Sequence, residues 1–118
     1  MNPRNVFPGR SYFKGSKDDE DFWLQFDFQK KLIEISSYTL YSDNIKSWNI
    51  EISNDGNNWE VIDQHSDYTS SSVKTNFQVQ RKKFVRYCRI HQTGPCSDDE
   101  TVKINTIEFF GRIKIDLS

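Results

Sequence analysis

Apolar and polar side chains alternate along most of the chain from Phe22 onward. In residues 22–28 (FWLQFDF), Phe22, Leu24, Phe26 and Phe28 fall on one face, and Trp23, Gln25 and Asp27 on the other. A two-residue period of this kind predicts a strand with one buried face. The next candidate strand, 33–41, changes parity between Ile33/Ile35 and Tyr38/Leu40, which an extra residue in a bulge near Ser36-Ser37 would explain. Trp48, Ile50 and Ile52 alternate with Asn49, Glu51 and Ser53. Asn54-Asp55-Gly56-Asn57 then supplies the residues that let a strand reverse at low steric cost, and Trp59 and Val61 resume the alternation. This is the clearest hairpin in the chain, and its parity places both Trp48 and Trp59 in the core.

A polar stretch rich in Ser and Thr (66–72) leads into a strand carrying Val73, Thr75, Phe77 and Val79. A turn at 80–83 precedes the strand Phe84 to Ile90, and the loop from Gln92 to Glu100 follows. Val102 and Ile104 predict an inward-facing strand whose parity shifts at Ile107 and Phe109, and beyond Gly111 a last alternation runs through Ile113, Ile115 and Leu117. Residues 1–21, with Pro3, Pro8, Gly9, Gly15 and the run Asp18-Asp19-Glu20-Asp21, read as an irregular lead-in. About eight short strands and no helical period predict an all-β antiparallel sandwich or barrel.

Composition strengthens that reading. The chain has no alanine and four leucines, against eleven isoleucines, six valines and 17 aromatics, so sheet formers outweigh helix formers. Its 118 residues suit a single domain over 1–118. Sixteen Lys and Arg against seventeen Asp and Glu give a net charge of −1, which argues against a nucleic-acid partner and against a polybasic membrane anchor. No apolar run approaches the ~18 residues of a membrane span, and Met1-Asn2-Pro3-Arg4 does not open a signal peptide.

Cys88 and Cys96 lack Cys-x-x-Cys spacing, and His65 and His91 lack zinc-finger spacing. Cys88 shares strand parity with Phe84 and Ile90, so burial as a small hydrophobe outweighs a disulfide to Cys96. None of the nine asparagines lies in an Asn-x-Ser/Thr sequon. Together these features set the expectation of a cytoplasmic home, with an extracellular one as the alternative if the chain was trimmed from a secreted protein. Neither a nucleophile with an aligned base, nor paired catalytic carboxylates, nor a phosphate-cradling glycine loop is visible, so no enzymatic activity and no cofactor are expected.

Four segments in order carry a family likeness: Trp23-Leu24-Gln25-Phe26-Asp27-Phe28, the hairpin Ser53-Asn54-Asp55-Gly56-Asn57-Asn58-Trp59, the strand Arg86-Tyr87-Cys88-Arg89-Ile90, and the closing Glu108-Phe109-Phe110-Gly111. In these the chain resembles the discoidin domain, also called the coagulation factor V/VIII type C domain, of the galactose-binding-like superfamily. It is most similar to the short intracellular variants. The resemblance implies a jelly-roll β-sandwich whose ligand meets the loops at one end, and it points to Phe7–Asp21, Tyr41–Ser47 and His91–Glu100. Unlike many secreted members, the chain has no cysteine near either terminus with which to tie its ends together.

Within those loops Phe7, Arg10, Tyr12 and Phe13 mix aromatic faces with a cation that could stack on a sugar or clamp a carboxylate, although burial at the open end of the core is the commoner use. Asp43, Asn44 and Gln92 offer directional hydrogen bonds. His91 with Arg89 could meet sugar hydroxyls, as a histidine and arginines do in lectin members, while Arg89 more often pairs with a carboxylate in this fold. Many sugar-binding relatives hold a structural calcium near the chain ends, which makes Asp18, Asp21 and Glu108 calcium candidates; solvated loop charge is the commoner fate of such residues. Fold alone does not fix the ligand. The leading expectation is a recognition module for a protein partner, the alternative is a carbohydrate-binding domain stabilised by calcium, and peripheral phospholipid binding stands behind both.

Overall fold

The computed structural model describes residues 4–5, 11–15, 22–69, 73–97 and 102–115. Ten strand segments run through them: β1 (Arg4–Asn5), β2 (Ser11–Gly15), β3 (Phe22–Asp27), β4 (Lys31–Tyr41), β5 (Trp48–Ser53), β6 (Glu60–His65), β7 (Thr75–Gln78), β8 (Phe84–Val85), β9 (Tyr87–Gln92) and β10 (Thr106–Ile115). Two of the ten, β1 and β8, are only two residues long, so eight longer strands carry the architecture, as the alternation predicts. One sheet has the order β1-β10-β4-β7, with β8 also paired to β4, and the other has the order β2-β3-β9-β5-β6. Every pairing is antiparallel, and the two sheets form a sandwich. No helix of the described residues is long and apolar enough to cross a membrane.

The inward faces follow the alternation. Phe26 on β3, Ile33 and Tyr38 on β4, Trp48 and Ile50 on β5, Cys88 and Ile90 on β9 and Phe109 on β10 are all buried. Phe26 meets Phe109 edge-on across the sandwich, with ring centroids 5.3 Å apart, an arrangement that favours ring edges against ring faces. The parity change in β4 is a bulge at Ser36: Phe110 pairs with Ser37 while Gly111 pairs with Ile35. Opposite it, a Cβ on Gly111 would lie 1.8 Å from the Glu34 carbonyl oxygen, so only glycine lets β10 pass the bulged strand. Both cysteines are buried and free.

Several expectations need correction. The stretch 1–21 is not an irregular lead-in throughout: β1 pairs with β10 and β2 pairs with β3, supplying the first strands of both sheets. Period-two patterning is weak there because an edge strand needs only one good neighbour, and Pro and Gly on either side mask it. Residues 102–104 form no strand, although Val102 is buried. The expected strand 84–90 is broken at Arg86, where the chain leaves β4 in one sheet and joins β3 and β5 in the other. Trp59 is not a core residue. In the hairpin register Ile52 pairs with Glu60 and Glu51 with Val61, so Trp59 shares the outward face of Val61, and its ring lies under the Arg89 guanidinium.

Candidate functional site

One end of the sandwich gathers the connections leaving β4, β6 and β9. These loops are tied to one another through the backbone. Tyr68 N–H donates to Lys46 O at 2.8 Å, Thr93 N–H to Ser47 O at 3.0 Å and Ser97 N–H to Asn44 O at 2.8 Å. Side chains complete the lacing. Asp67 N–H donates to Ser47 Oγ at 3.2 Å, Ser42 Oγ donates to Lys103 O at 2.6 Å, and Asn44 Oδ1 accepts from Lys103 N–H at 3.0 Å. Serine and asparagine suit this work because their short side chains offer a donor or acceptor to a neighbouring backbone at little entropic cost.

The laced loops enclose an open hollow of about 500 Å³ lined by Asp43, Lys46, Asp67, Tyr68, Thr69 and Ser97. Asp43 and Asp67 are exposed, and neither has an ion-pair partner among the described residues. Asp67 adopts φ +53°, a left-handed conformation that aspartate tolerates better than most residues, and it turns the chain so that Tyr68 borders the hollow. The Tyr68 ring is fixed from behind by edge-on contacts with Trp48 at 5.3 Å and Phe77 at 5.6 Å. Behind these, Trp48 Nε1–H donates to Tyr38 Oη at 3.0 Å, and Tyr38 in turn donates to Asp63, whose Oδ2 also lies 3.0 Å from His65 Nε2. Burial and the bond to Asp63 both push the Tyr38 phenol far above its usual range, so it stays a donor at any working pH. The hollow is therefore a polar cup with one aromatic wall on a stiff support.

The residues singled out from sequence divide into separate groups. Asp43 lines the cup. Asn44 and Gln92 are buried among the loops, with Asn44 holding Lys103 and Gln92 donating through Nε2 to Gly94 O at 2.7 Å. Arg89 and His91 point from β9 onto the outer sheet face, where they surround Glu51. Arg89 Nε donates to Glu51 Oε1 at 2.6 Å, while Asn49 Nδ2 at 3.1 Å and His91 Nδ1 at 3.3 Å meet Oε2. Burial pushes the Glu51 carboxyl up, but the bonds from His91, Arg89 and Asn49 outweigh it and lower its pKa to about 2. The Arg89 guanidinium lies 4.0 Å from the Trp59 ring centroid and 5.8 Å from that of Trp23. Arg89 thus has the carboxylate pairing weighed for it from sequence.

Phe7, Arg10, Asp18 and Asp21 lie outside the described residues, and Tyr12 and Phe13 are described as backbone of β2, paired with Gln25 and Leu24. The third calcium candidate, Glu108, is half-buried on β10 opposite Thr39. Among the described residues no group of three or more His, Cys, Asp or Glu could hold a metal ion.

Sequence reading missed the 66–69 segment, because a Ser- and Thr-rich stretch carries no period. The one signal was a lone aromatic, Tyr68, between Asp67 and Thr69.

The F5/8 type C domain family matches the chain over residues 2–109. No curated protein matches it. Among solved structures, the chain is similar to the CpGH89CBM32-6 module produced by Clostridium perfringens, at 22% identity and a TM-score of 0.63, covering 92% of this chain and 82% of that one. It is also similar to the CpGH89CBM32-5 module of Clostridium perfringens in complex with GalNAc-β-1,3-galactose, at 13% identity and a TM-score of 0.65 over 79% and 68% of the two chains. A third likeness is to chitosan-binding module 2 from a chitosanase/glucanase of Paenibacillus sp. IK-5, in complex with chitotriose, at 16% identity and a TM-score of 0.65 over 84% and 74%. At these identities the likeness establishes a shared fold.

Proposed function

Since the chain belongs to the F5/8 type C, or discoidin, domain family, we propose that it is a non-catalytic module that binds carbohydrate in the cup at the loop end of the sandwich. The observation that carries this reading is the cup itself: polar, about 500 Å³, open to solvent and walled on one side by Tyr68. A sugar ring presents an apolar C–H face to an aromatic and hydroxyls to the surrounding polar groups, and Asp43, Asp67, Thr69 and Ser97 are suited to the latter. The cross-loop bonds hold these groups in place before a ligand arrives, which lowers the entropy lost on binding. Neighbours of the same fold in complex with GalNAc-β-1,3-galactose and with chitotriose support a glycan over a protein as the ligand.

Isothermal titration of the purified chain against a panel of oligosaccharides tests this. Binding by the native chain, lost at least roughly ten-fold in Tyr68→Ala while the unfolding midpoint shows the sandwich intact, is the expected result. Binding that survives Tyr68→Ala unchanged would move the ligand elsewhere on the surface.

One observation favours a protein partner as a second reading. On the outer face of the second sheet the Arg89 guanidinium lies against Trp59 and Trp23, the Trp59 ring meets Tyr87, and Val61, opposite Glu51, is 46% exposed; aromatic and arginine side chains are the common anchors of protein interfaces. A chain that binds no glycan but is retained by a partner, and released by Val61→Asp, would favour that reading.

A further inference from the structure

The net charge of −1 hides an uneven layout. Half of the chain's sixteen Lys and Arg gather at the end of the sandwich away from the cup. Arg112 and Lys114 stand on the second half of β10 and lie over the Phe84 ring of β8, at 5.7 and 4.7 Å from its centroid. Arg81, Lys82 and Lys83 form the exposed turn that leads into Phe84, Lys30 and Lys31 open β4 where β10 finishes, and Arg86 lies between β8 and β9. Among the described residues this end holds four carboxylates, Asp27, Glu34, Asp55 and Glu60; the rest of the chain has thirteen carboxylates against eight cations.

The arginines there are already engaged. Arg112 Nη2 meets Glu34 Oε1 at 2.9 Å, Arg86 Nε donates to Asp27 Oδ1 at 3.1 Å, and Arg81 pairs with Glu60, whose other oxygen lies 3.6 Å from Lys83 Nζ. Lys30, Lys31, Lys82 and Lys114 have no ion pair among the described residues. The guanidinium forks, shaped to grip a phosphate or sulfate from two sides, are thus occupied, and what stays open is a set of ammonium point charges. The set also bends. Arg112 and Lys114 lie over Phe84 on the first sheet, while Arg81 and Lys83 reach round to Glu60 on the second. A flat lipid surface meets only one of these sides, whereas a flexible chain follows both. A long nucleic acid would run on over the acidic remainder and be repelled; a short anion would not. From this layout we propose that the far end docks a short acidic segment of a partner protein, an extended run of a few Asp or Glu whose carboxylates meet Lys82, Lys114 and the pair Lys30 and Lys31. Alternate side chains of an extended segment are about 7 Å apart, the same interval that separates Arg112 from Lys114 along β10. Docking there leaves the cup open, so the proposal stands whatever the cup binds.

Fluorescence anisotropy with a labelled peptide of alternating glutamate and serine, about ten residues long, tests this, beside the same peptide with glutamine for glutamate, a single-stranded oligonucleotide of similar length, and phosphatidylserine vesicles. The expected result is binding of the glutamate peptide alone, weakened at least roughly ten-fold between about 50 and 300 mM salt because the open charges are solvent-exposed. Lys82→Glu combined with Lys114→Glu should weaken it at least roughly ten-fold while the unfolding midpoint stays in place. Lys30→Glu with Lys31→Glu, at the other margin, should give a smaller loss of the same sign, and Tyr68→Ala should give none. The proposal is overturned if the glutamate and glutamine peptides bind alike or neither binds at low salt, or if both charge-reversed pairs bind as the native chain does. Tighter binding of the oligonucleotide or the vesicles than of the glutamate peptide would overturn it too, by assigning the face to another class of partner.

Discussion

Glu51 is a carboxylate whose side chain is only 8% exposed, yet it stays charged because three donors converge on it. The sign of its pH effect follows from the direction of the shift. Its folded pKa, about 2, lies below the ordinary 4.5, so the stability it contributes is fully present above about pH 5 and is lost as the pH falls toward 2. The shift sets an upper bound of about 3 kcal/mol on that contribution. Urea midpoints measured from pH 6 down to pH 2.5 should therefore fall less steeply for Glu51→Gln than for the unmodified chain. Parallel curves would mean that Glu51 has the same affinity for protons folded and unfolded. The same cluster accounts for why Arg89 and His91 look like ligand contacts in the sequence: a cation and an imidazole two residues apart on a strand share a face, and nothing in the sequence shows that the face already holds a carboxylate.

At the scale of elements, the bulge at Ser36 and the glycine opposite it act as one device. Gly111→Ala would drive a methyl into the Glu34 carbonyl, which belongs to the backbone and cannot rotate away, so a loss of about 3 kcal/mol or more in chemical denaturation is expected. A loss under about 1 kcal/mol would show that β4 and β10 can separate locally there. Strands of this kind are the most legible part of the sequence: β3, β4 with its bulge, and the β5–β6 hairpin all follow from alternation and turn chemistry. Features that depend on the partner strand were not legible. Arg86, where one apparent strand becomes β8 and β9 in different sheets, carries no local signal, because either half alternates normally. Trp59 was misassigned for a related reason, since the register across the turn decides its face: with Ile52 opposite Glu60 and Glu51 opposite Val61, Trp59 falls on the outward face with Val61. The candidate site was legible in part: the family resemblance pointed to the 41–47 loop that carries Asp43, whereas Tyr68 acquires its position only from Trp48 and Phe77, which are distant from it in sequence.

For the whole molecule, the two free thiols sample two depths of the same fold. Cys88 is fully buried at the centre of β9, where burial and the Glu51 charge raise its pKa well above the usual thiol range, while Cys96 sits in the loop after β9 at 8% exposure. Local opening of a loop costs less than global unfolding, so Cys96 should react with an alkylating reagent at least roughly ten-fold faster than Cys88 under native conditions, as peptide mapping would show. Equal rates would mean that the loop end opens only when the sandwich does.

The strand pairing at the other extreme of the molecule has a practical side. β10 starts beside Tyr41 at the cup end and finishes beside Lys31 some 30 Å away, nine residues at about 3.3 Å each, and Arg4 enters alongside Gly111 heading the opposite way. Ile115, the last residue of β10, thus stands at the pole facing away from the cup. A bead or a dye attached through a cysteine put in place of Ile115, a position 67% exposed, would hold the module as a stalk holds a flower, with its open face toward the medium.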